Sequence, residues 1–270
     1  MVETVENQKS KVPVIDCVHW MVGEGDPLFL VHGIGASHAA WDGIVNELKS
    51  DFCCVSYDLR GHGASPLPNC AFGLDELVAD LEALRAKLGF ESMHVAGHSL
   101  GGMIGPAYAR KYPHRVKTLG LLSTAAGRTE EDSAKVRGVV TAMKRDGIPN
   151  ILDKLVDRWY TDEFVKNNPA VVQARLNQIT GMNAEVFLNV FDIYAETEMA
   201  PWLHEVKTPS LIVTGEYDGA CNPRLNTYIQ SQLDDSKLVI LDGLKHSILM
   251  EAPTKVAAEI RRFVASRRQS

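Results

Sequence analysis

The chain has 270 residues, 45% hydrophobic and 23% charged, with a formal net charge of −6. That is the composition of a globular protein with a sizeable core, and its modest acidity argues against nucleic acid or an anionic membrane as partner. No apolar run nears the ~20 residues of a bilayer span, and five cysteines without Cys-x-x-Cys or metal-ligand spacing suggest reduced thiols and no metal.

The first eleven residues, MVETVENQKSK, mix charges and lack an apolar h-region, so no signal peptide and a cytoplasmic location are expected. Residues 12–22 are rich in Val, Ile, Cys and Trp and lead to Gly23-Glu24-Gly25-Asp26-Pro27, which suits one or two antiparallel edge strands. Leu28-Phe29-Leu30-Val31 is a short apolar run of the kind buried on both faces of a parallel sheet, and it ends at His32-Gly33-Ile34-Gly35. Ser37 stands where a cap would precede a helix with Trp41, Ile44, Val45 and Leu48 inward. A strand over 53–57, the turn Asp58-Leu59-Arg60-Gly61-His62-Gly63 and a helix from Leu74 closed by Gly89 follow. His94-Val95-Ala96 then reads as a strand running into Gly97-His98-Ser99-Leu100-Gly101, with helical apolar spacing from Leu100 to Tyr108. After a strand over 118–122 the alternation stops. Helices are expected over 136–144, 148–159, 171–179 and 184–194 before strands at 210–214 and 237–241 and helices at 222–233 and 253–267. This order predicts an α/β fold: a mostly parallel sheet of about eight strands with helices on both faces. Residues 1–124 and 205–270 form its core, and 125–204 form a helical cap inserted after the sixth strand.

Strand, sharp turn around a serine, helix: in that context Gly-x-Ser-x-Gly means a nucleophile elbow. The turn is too tight for side chains two residues either side of Ser99, and glycine stands at both. A serine hydroxyl needs a base to take its proton and a carboxylate to orient that base. Asp218 lies a few residues past one late strand and His246 past the last, giving the order Ser99, Asp218, His246. Glu216 and Asp242 are the competing acids and read as turn formers. The oxyanion donors expected are the main-chain N–H groups of Leu100, directly after the nucleophile, and Ile34, after the first parallel strand. His32 and His98 flank this site and, with Trp159 and Tyr160, are the candidate substrate contacts. Met182, Phe187 and Trp202 would extend an apolar wall. Arg128, Arg158 and Arg175 are cations that a substrate carboxylate could meet.

With these motifs the chain resembles the α/β-hydrolase superfamily over nearly its whole length. Leu30-Val31-His32-Gly33, Asp58-Leu59-Arg60-Gly61-His62-Gly63-Ala64-Ser65, the elbow, Gly215-Glu216-Tyr217-Asp218 and Lys245-His246-Ser247 carry the likeness. Trp41-Asp42, the run Arg158-Trp159-Tyr160-Thr161-Asp162-Glu163-Phe164, Val171 and Arg175 resemble the 3-oxoadipate enol-lactonase group within it. His98 and Leu100 depart from that group and are shared with many esterases. The resemblance implies cofactor-free hydrolysis of a small ester or lactone, and a chain of this size with an exposed cap suits a monomer or a homodimer. Related enzymes that cleave carbon–carbon bonds carry asparagine where His98 stands. A perhydrolase and a slow-turnover receptor for a small lactone share the same three residues and remain alternatives.

Overall fold

A computed structural model describes residues 12–267. The stretch read for a leader, 1–11, and the last three residues of the expected core lie outside the described residues. The chain opens with β1 (His19–Val22), β2 (Asp26–Val31), α1 (Asp42–Leu48), β3 (Phe52–Tyr57) and α2 (Leu74–Lys87). It continues through β4 (Met93–His98), α3 (Gly101–Lys111) and β5 (Val116–Leu122). Five helices follow: α4 (Glu130–Asp146), α5 (Pro149–Trp159), α6 (Asp162–Asn167), α7 (Pro169–Thr180) and α8 (Ala184–Glu196). The alternation then resumes with β6 (Ser210–Gly215), α9 (Pro223–Gln232), β7 (Ser236–Leu241), α10 (Ile248–Glu251) and α11 (Pro253–Arg267).

The strands form one sheet in the order β1-β3-β2-β4-β5-β6-β7. Only β1, paired with β3, runs antiparallel. Successive side chains on a strand point to opposite faces, and here both faces are covered. Leu28 and Leu30 of β2 pack with Trp41, Ile44 and Leu48 of the α1 region and with Ile260 and Phe263 of α11. Phe29 and Val31 face the other way, onto Leu81 of α2 and Met103 of α3. β6 repeats the rule, with Leu211 and Val213 on one side and Ile212 on the other. These continuous apolar runs exist because each strand serves two cores.

The sheet has seven strands among the described residues, not about eight, and the inserted helices follow the fifth strand, not the sixth. The difference lies at the start of the chain. Between residues 12 and 18 two amides find side-chain partners, Ile15 N donating to Asp80 Oδ1 at 3.1 Å and Val18 N to Ser65 Oγ at 2.9 Å, and pairing with β3 begins only at Val18 O, which accepts from Asp58 N at 2.9 Å. Asp80 is also the buried partner of Arg60, with Nε–Oδ2 at 2.6 Å and Nη2–Oδ1 at 2.7 Å.

Four of the inserted helices, α4, α5, α7 and α8, share a cluster that includes Val140, Met143, Leu152, Leu155, Ile179, Phe187 and Phe191, and Ile34 of the core packs against it. The six-residue α6 had no expectation, since so short a helix presents no apolar periodicity. It is started by Thr161, whose Oγ1 accepts from Phe164 N at 3.2 Å.

Candidate active site

Ser99 follows β4 with φ of 55°, a left-handed conformation rare for a residue with a side chain. The flanking glycines explain how the chain tolerates it. A Cβ on Gly97 would stand 2.0 Å from Gly101 O, and one on Gly101 would stand 2.1 Å from Val31 O. Neither can exist, because backbone passes through both places. The elbow is tied down on two sides: Ser99 N donates to Leu122 O at 2.9 Å, and Ser99 O accepts from Gly102 N at 2.9 Å and from Thr124 Oγ1 at 3.0 Å. Thr124 had no expectation attached, because its partner is a main-chain oxygen that no sequence pattern marks.

Asp218 lies beyond β6 and His246 beyond β7, both at the carboxyl edge of the sheet. His246 Nδ1 donates to Asp218 Oδ2 at 2.8 Å. The other carboxylate oxygen, Oδ1, accepts from Ala220 N at 3.0 Å and Cys221 N at 2.8 Å. Burial penalises the Asp218 charge, but His246 and these donors outweigh it and hold the carboxyl below its usual range. Burial likewise opposes charge on His246, and the neighbouring carboxylate outweighs it, lifting the imidazole above its ordinary value. Glu216 and Asp242 are exposed, and Glu216 accepts from Gly243 N at 2.9 Å, which is a turn role. Asp218, Cys221 and His246 offer donor atoms within 4.8 Å of one another. The carboxylate and the imidazole are already engaged with each other, so a cation there would have to break their hydrogen bond.

The loop after β2 is held at consecutive peptide units. Gly33 O accepts from His32 Nδ1 at 2.8 Å and from Ala36 N at 3.2 Å. In a planar trans peptide the N–H points opposite to the C=O, so these bonds turn Ile34 N–H away from them. Gly35 N donates to His62 Nε2 at 3.2 Å. Ile34 O accepts from Arg175 Nη2 at 2.8 Å, and Gly35 O accepts from Arg175 Nη1. The N–H groups of Ile34 and Leu100 have no hydrogen-bond partner among the described residues.

One pocket joins these parts. Ser99, His246, Ile34 and His98 line it from the core, and Trp159, Tyr160, Arg158, Arg175 and Tyr194 line it from the inserted helices. Its wall is mainly apolar. Of the candidate substrate contacts, Trp159 and Tyr160 reach it. His98 reaches it as well, but its Nε2 donates to His246 O at 3.0 Å, so the ring braces the histidine loop. Burial first, then the nearby His246, pulls His98 down to about 3, so it is neutral at ordinary pH. His32 does not line the pocket, which corrects its expected role. It is fully buried behind the loop, with Nδ1 on Gly33 O and Nε2 accepting from Leu59 N at 3.0 Å. Met182, Phe187 and Trp202 do not line it either: the first two pack within the inserted helices, and Trp202 lies under Arg110 at 5.3 Å. Arg128 is turned to the carbonyls of Tyr194 and Thr197, at 2.9 and 3.1 Å. Tyr194 was not among the expected residues. Its hydroxyl meets Cys221 Sγ at 3.2 Å, directly behind the Asp218 loop.

The family model for the alpha/beta hydrolase fold matches residues 26–253. Over 240 residues the chain is 25% identical to 3-oxoadipate enol-lactonase 2 of Acinetobacter baylyi, covering 87% of this chain and 89% of that protein. A thermophilic esterase from Thermogutta terrifontis, solved with malate bound, superposes with a TM-score of 0.84 at 26% identity, covering 94% of both chains. The enol-lactonase from Burkholderia xenovorans superposes with a TM-score of 0.85 at 21% identity, covering 92% of this chain and 96% of that one, a likeness of fold.

Proposed function

The chain belongs to the alpha/beta hydrolase fold family, and from that premise we propose that it is a serine hydrolase of small esters or lactones, similar in reaction to the enol-lactonases. The observation that carries the reading is the shared pocket: strained Ser99 and His246, itself hydrogen-bonded to Asp218, line the same space as Ile34, and the N–H groups of Ile34 and of Leu100, next to Ser99, have no partner among the described residues. In this reading Ser99 Oγ attacks the substrate carbonyl as its proton passes to His246 Nε2. Asp218 keeps the other ring proton on Nδ1 and stabilises the imidazolium. Ile34 and Leu100 N–H hold the oxyanion, each such donor contributing about 10²–10³ in rate. The intermediate collapses, the C–O bond breaks, and the leaving alkoxide takes the proton from Nε2. Water then attacks the acyl-enzyme with His246 again as base, returning the acid and free Ser99.

The substrate class follows from the wall. An apolar pocket suits a short acyl chain, and Arg158 at its edge is exposed, with no hydrogen-bond partner among the described residues. A small ester or lactone bearing a carboxylate fits both features. A relative named for 3-oxoadipate enol-lactone and a structural neighbour holding malate support that choice.

The test is steady-state hydrolysis of a panel of short 4-nitrophenyl esters, simple lactones and 3-oxoadipate enol-lactone by wild type and Ser99→Ala. Turnover that falls about 10⁴-fold or more in the variant is expected. Turnover of the enol-lactone far above the neutral esters would support the carboxylate preference. Undiminished activity of Ser99→Ala, or no turnover and no labelling of Ser99 by a fluorophosphonate, would overturn the reading.

A further inference from the structure

We infer that Arg175, on inserted helix α7, is a positioning residue that sets the oxyanion loop, so that the inserted helices govern the chemical step as well as the shape of the pocket. This rests on the serine-hydrolase reading above. Two carbonyls of the loop, Ile34 O and Gly35 O, are both taken by the one guanidinium, 141 and 140 residues away in sequence. A planar fork with parallel donors can hold two adjacent carbonyls at once; no other side-chain cation has that geometry.

The loop's other restraints come from the core. Gly33 O is held by His32 and Ala36 N, and Gly35 N by His62. These fix the peptide carrying Ile34 N–H on one side only. The next peptide unit, Ile34–Gly35, is pinned at its N–H end by His62 and at its C=O end by Arg175. Loss of Arg175 frees that C=O end, and the rotation it allows is transmitted to Ile34. The packing agrees that α7 and α8 bear on this loop: Gly35 has φ of +65°, and a Cβ on it would meet Phe187 at 2.7 Å and Ile179 at 3.2 Å.

Arg175 is itself located. Nη1 also donates to Gln178 Oε1 at 3.0 Å, and the guanidinium lies 5.8 Å from the centre of the Trp159 ring. Both terminal nitrogens thus bond the protein, and two of their three hydrogen bonds are to the loop.

The experiment compares wild type, Arg175→Met and Arg175→Lys on a neutral ester, 4-nitrophenyl butyrate, and on an ester of the same length ending in a carboxylate. Loop positioning predicts that Arg175→Met lowers kcat by about tenfold to a hundredfold on both substrates, with KM changed less than about threefold. Arg175→Lys keeps the charge and one donor and should recover part of the loss. Binding of a trifluoromethyl ketone, whose adduct places an oxyanion in the hole, should weaken by the same factor as kcat. Unchanged kcat in Arg175→Met overturns the inference. So does a loss confined to KM of the carboxylate ester, which would make Arg175 a substrate contact. If Arg175→Met does not fold, the lysine variant decides, since full loss of turnover with wild-type ketone binding is incompatible with a role at the oxyanion. Absence of turnover in wild type would fall on the hydrolase reading alone.

Discussion

Asp218→Asn tests the hydrogen-bond logic of the site most sharply, because the structure dictates which way the new amide must face. Asp218 Oδ1 receives two main-chain donors, Ala220 N and Cys221 N. An amide NH₂ in that position would oppose both, so the asparagine carbonyl oxygen must take it. The NH₂ is then presented to His246 Nδ1, where a carboxylate oxygen accepted a proton at 2.8 Å. His246 must turn acceptor at Nδ1, which moves its proton to Nε2, the atom that should receive the proton of Ser99. The geometry survives and the tautomer is wrong. The expected loss in kcat is about 10⁴-fold, equivalent to about 5.4 kcal/mol on the barrier. A second signature is the pH profile. The base works only when neutral, and Asp218 raises its pKa, so the acid limb of kcat/KM in wild type should lie above the ordinary histidine value. Removing the carboxylate charge should move that limb to lower pH even as the rate falls. The assay is kcat/KM for a neutral ester between pH 5 and 9, alongside thermal melts to show that the variant folds. Activity within about tenfold of wild type, or an acid limb that does not move, would refute the reasoning.

Gly97→Ala and Gly101→Ala each place a methyl about 2 Å from a main-chain oxygen, and should destabilise by about 3 kcal/mol or more, seen as a Tm lower by about 6–12 °C; a Tm within 2 °C of wild type would contradict the steric account. Asp80→Asn breaks the ion pair to Arg60, in which both side chains are 1% exposed, and should cost about 3–5 kcal/mol in urea unfolding. A loss below about 1 kcal/mol would show the guanidinium finding another partner. Burial pulls His62 down to about 4, so its imidazole resonances should titrate near that pH. As the folded pKa lies below the unfolded one, its contribution to stability is complete above about pH 6.5 and is lost as pH falls through 4. An NMR titration midpoint at or above 6 would overturn the buried, neutral assignment.

The parts of this molecule that were legible in its sequence are those set by local rules. Leu28–Val31, Cys53–Tyr57 and Leu211–Val213 announce buried strands because each alternates between two apolar cores, and no other environment asks for such runs. The elbow is legible because Gly97 answers a clash with Gly101 O four residues on, while Gly101, whose clash is with Val31 O on the neighbouring strand, is marked by the motif alone. Ser99, His246 and Asp218 could be brought together on paper because parallel strands deliver their following loops to one edge. What escaped were roles assigned by a single contact with a distant partner that no motif marks. His32 looked like a substrate contact by its place beside Gly33, but Leu59 N and Gly33 O take both ring nitrogens and leave it walled off. Thr124 is defined by Ser99 O, and Tyr194 by Cys221 Sγ. The missing edge strand belongs to the same class, since Asp80 and Ser65 take the amides of Ile15 and Val18.

This division explains why the reaction class can be read so much further than the substrate. The proposed nucleophile, its proposed base and one face of the proposed oxyanion loop are fixed by the sheet and by bonds among residues 32–62, which is one continuous framework. The pocket wall comes from α4, α5, α7 and α8, helices held together by their own apolar cluster, and their side chains are chosen by packing as much as by any ligand. Phe187 shows the ambiguity: an aromatic on an inserted helix, it supports Gly35 from behind and never reaches the cavity. Trp159 has the same chemistry and lines it. What separates the two is rotation about a helix axis relative to a loop more than 120 residues earlier, a relation that spacing within either segment does not encode. Arg175 stands where the two frameworks meet, and for that reason a substitution there should report on both.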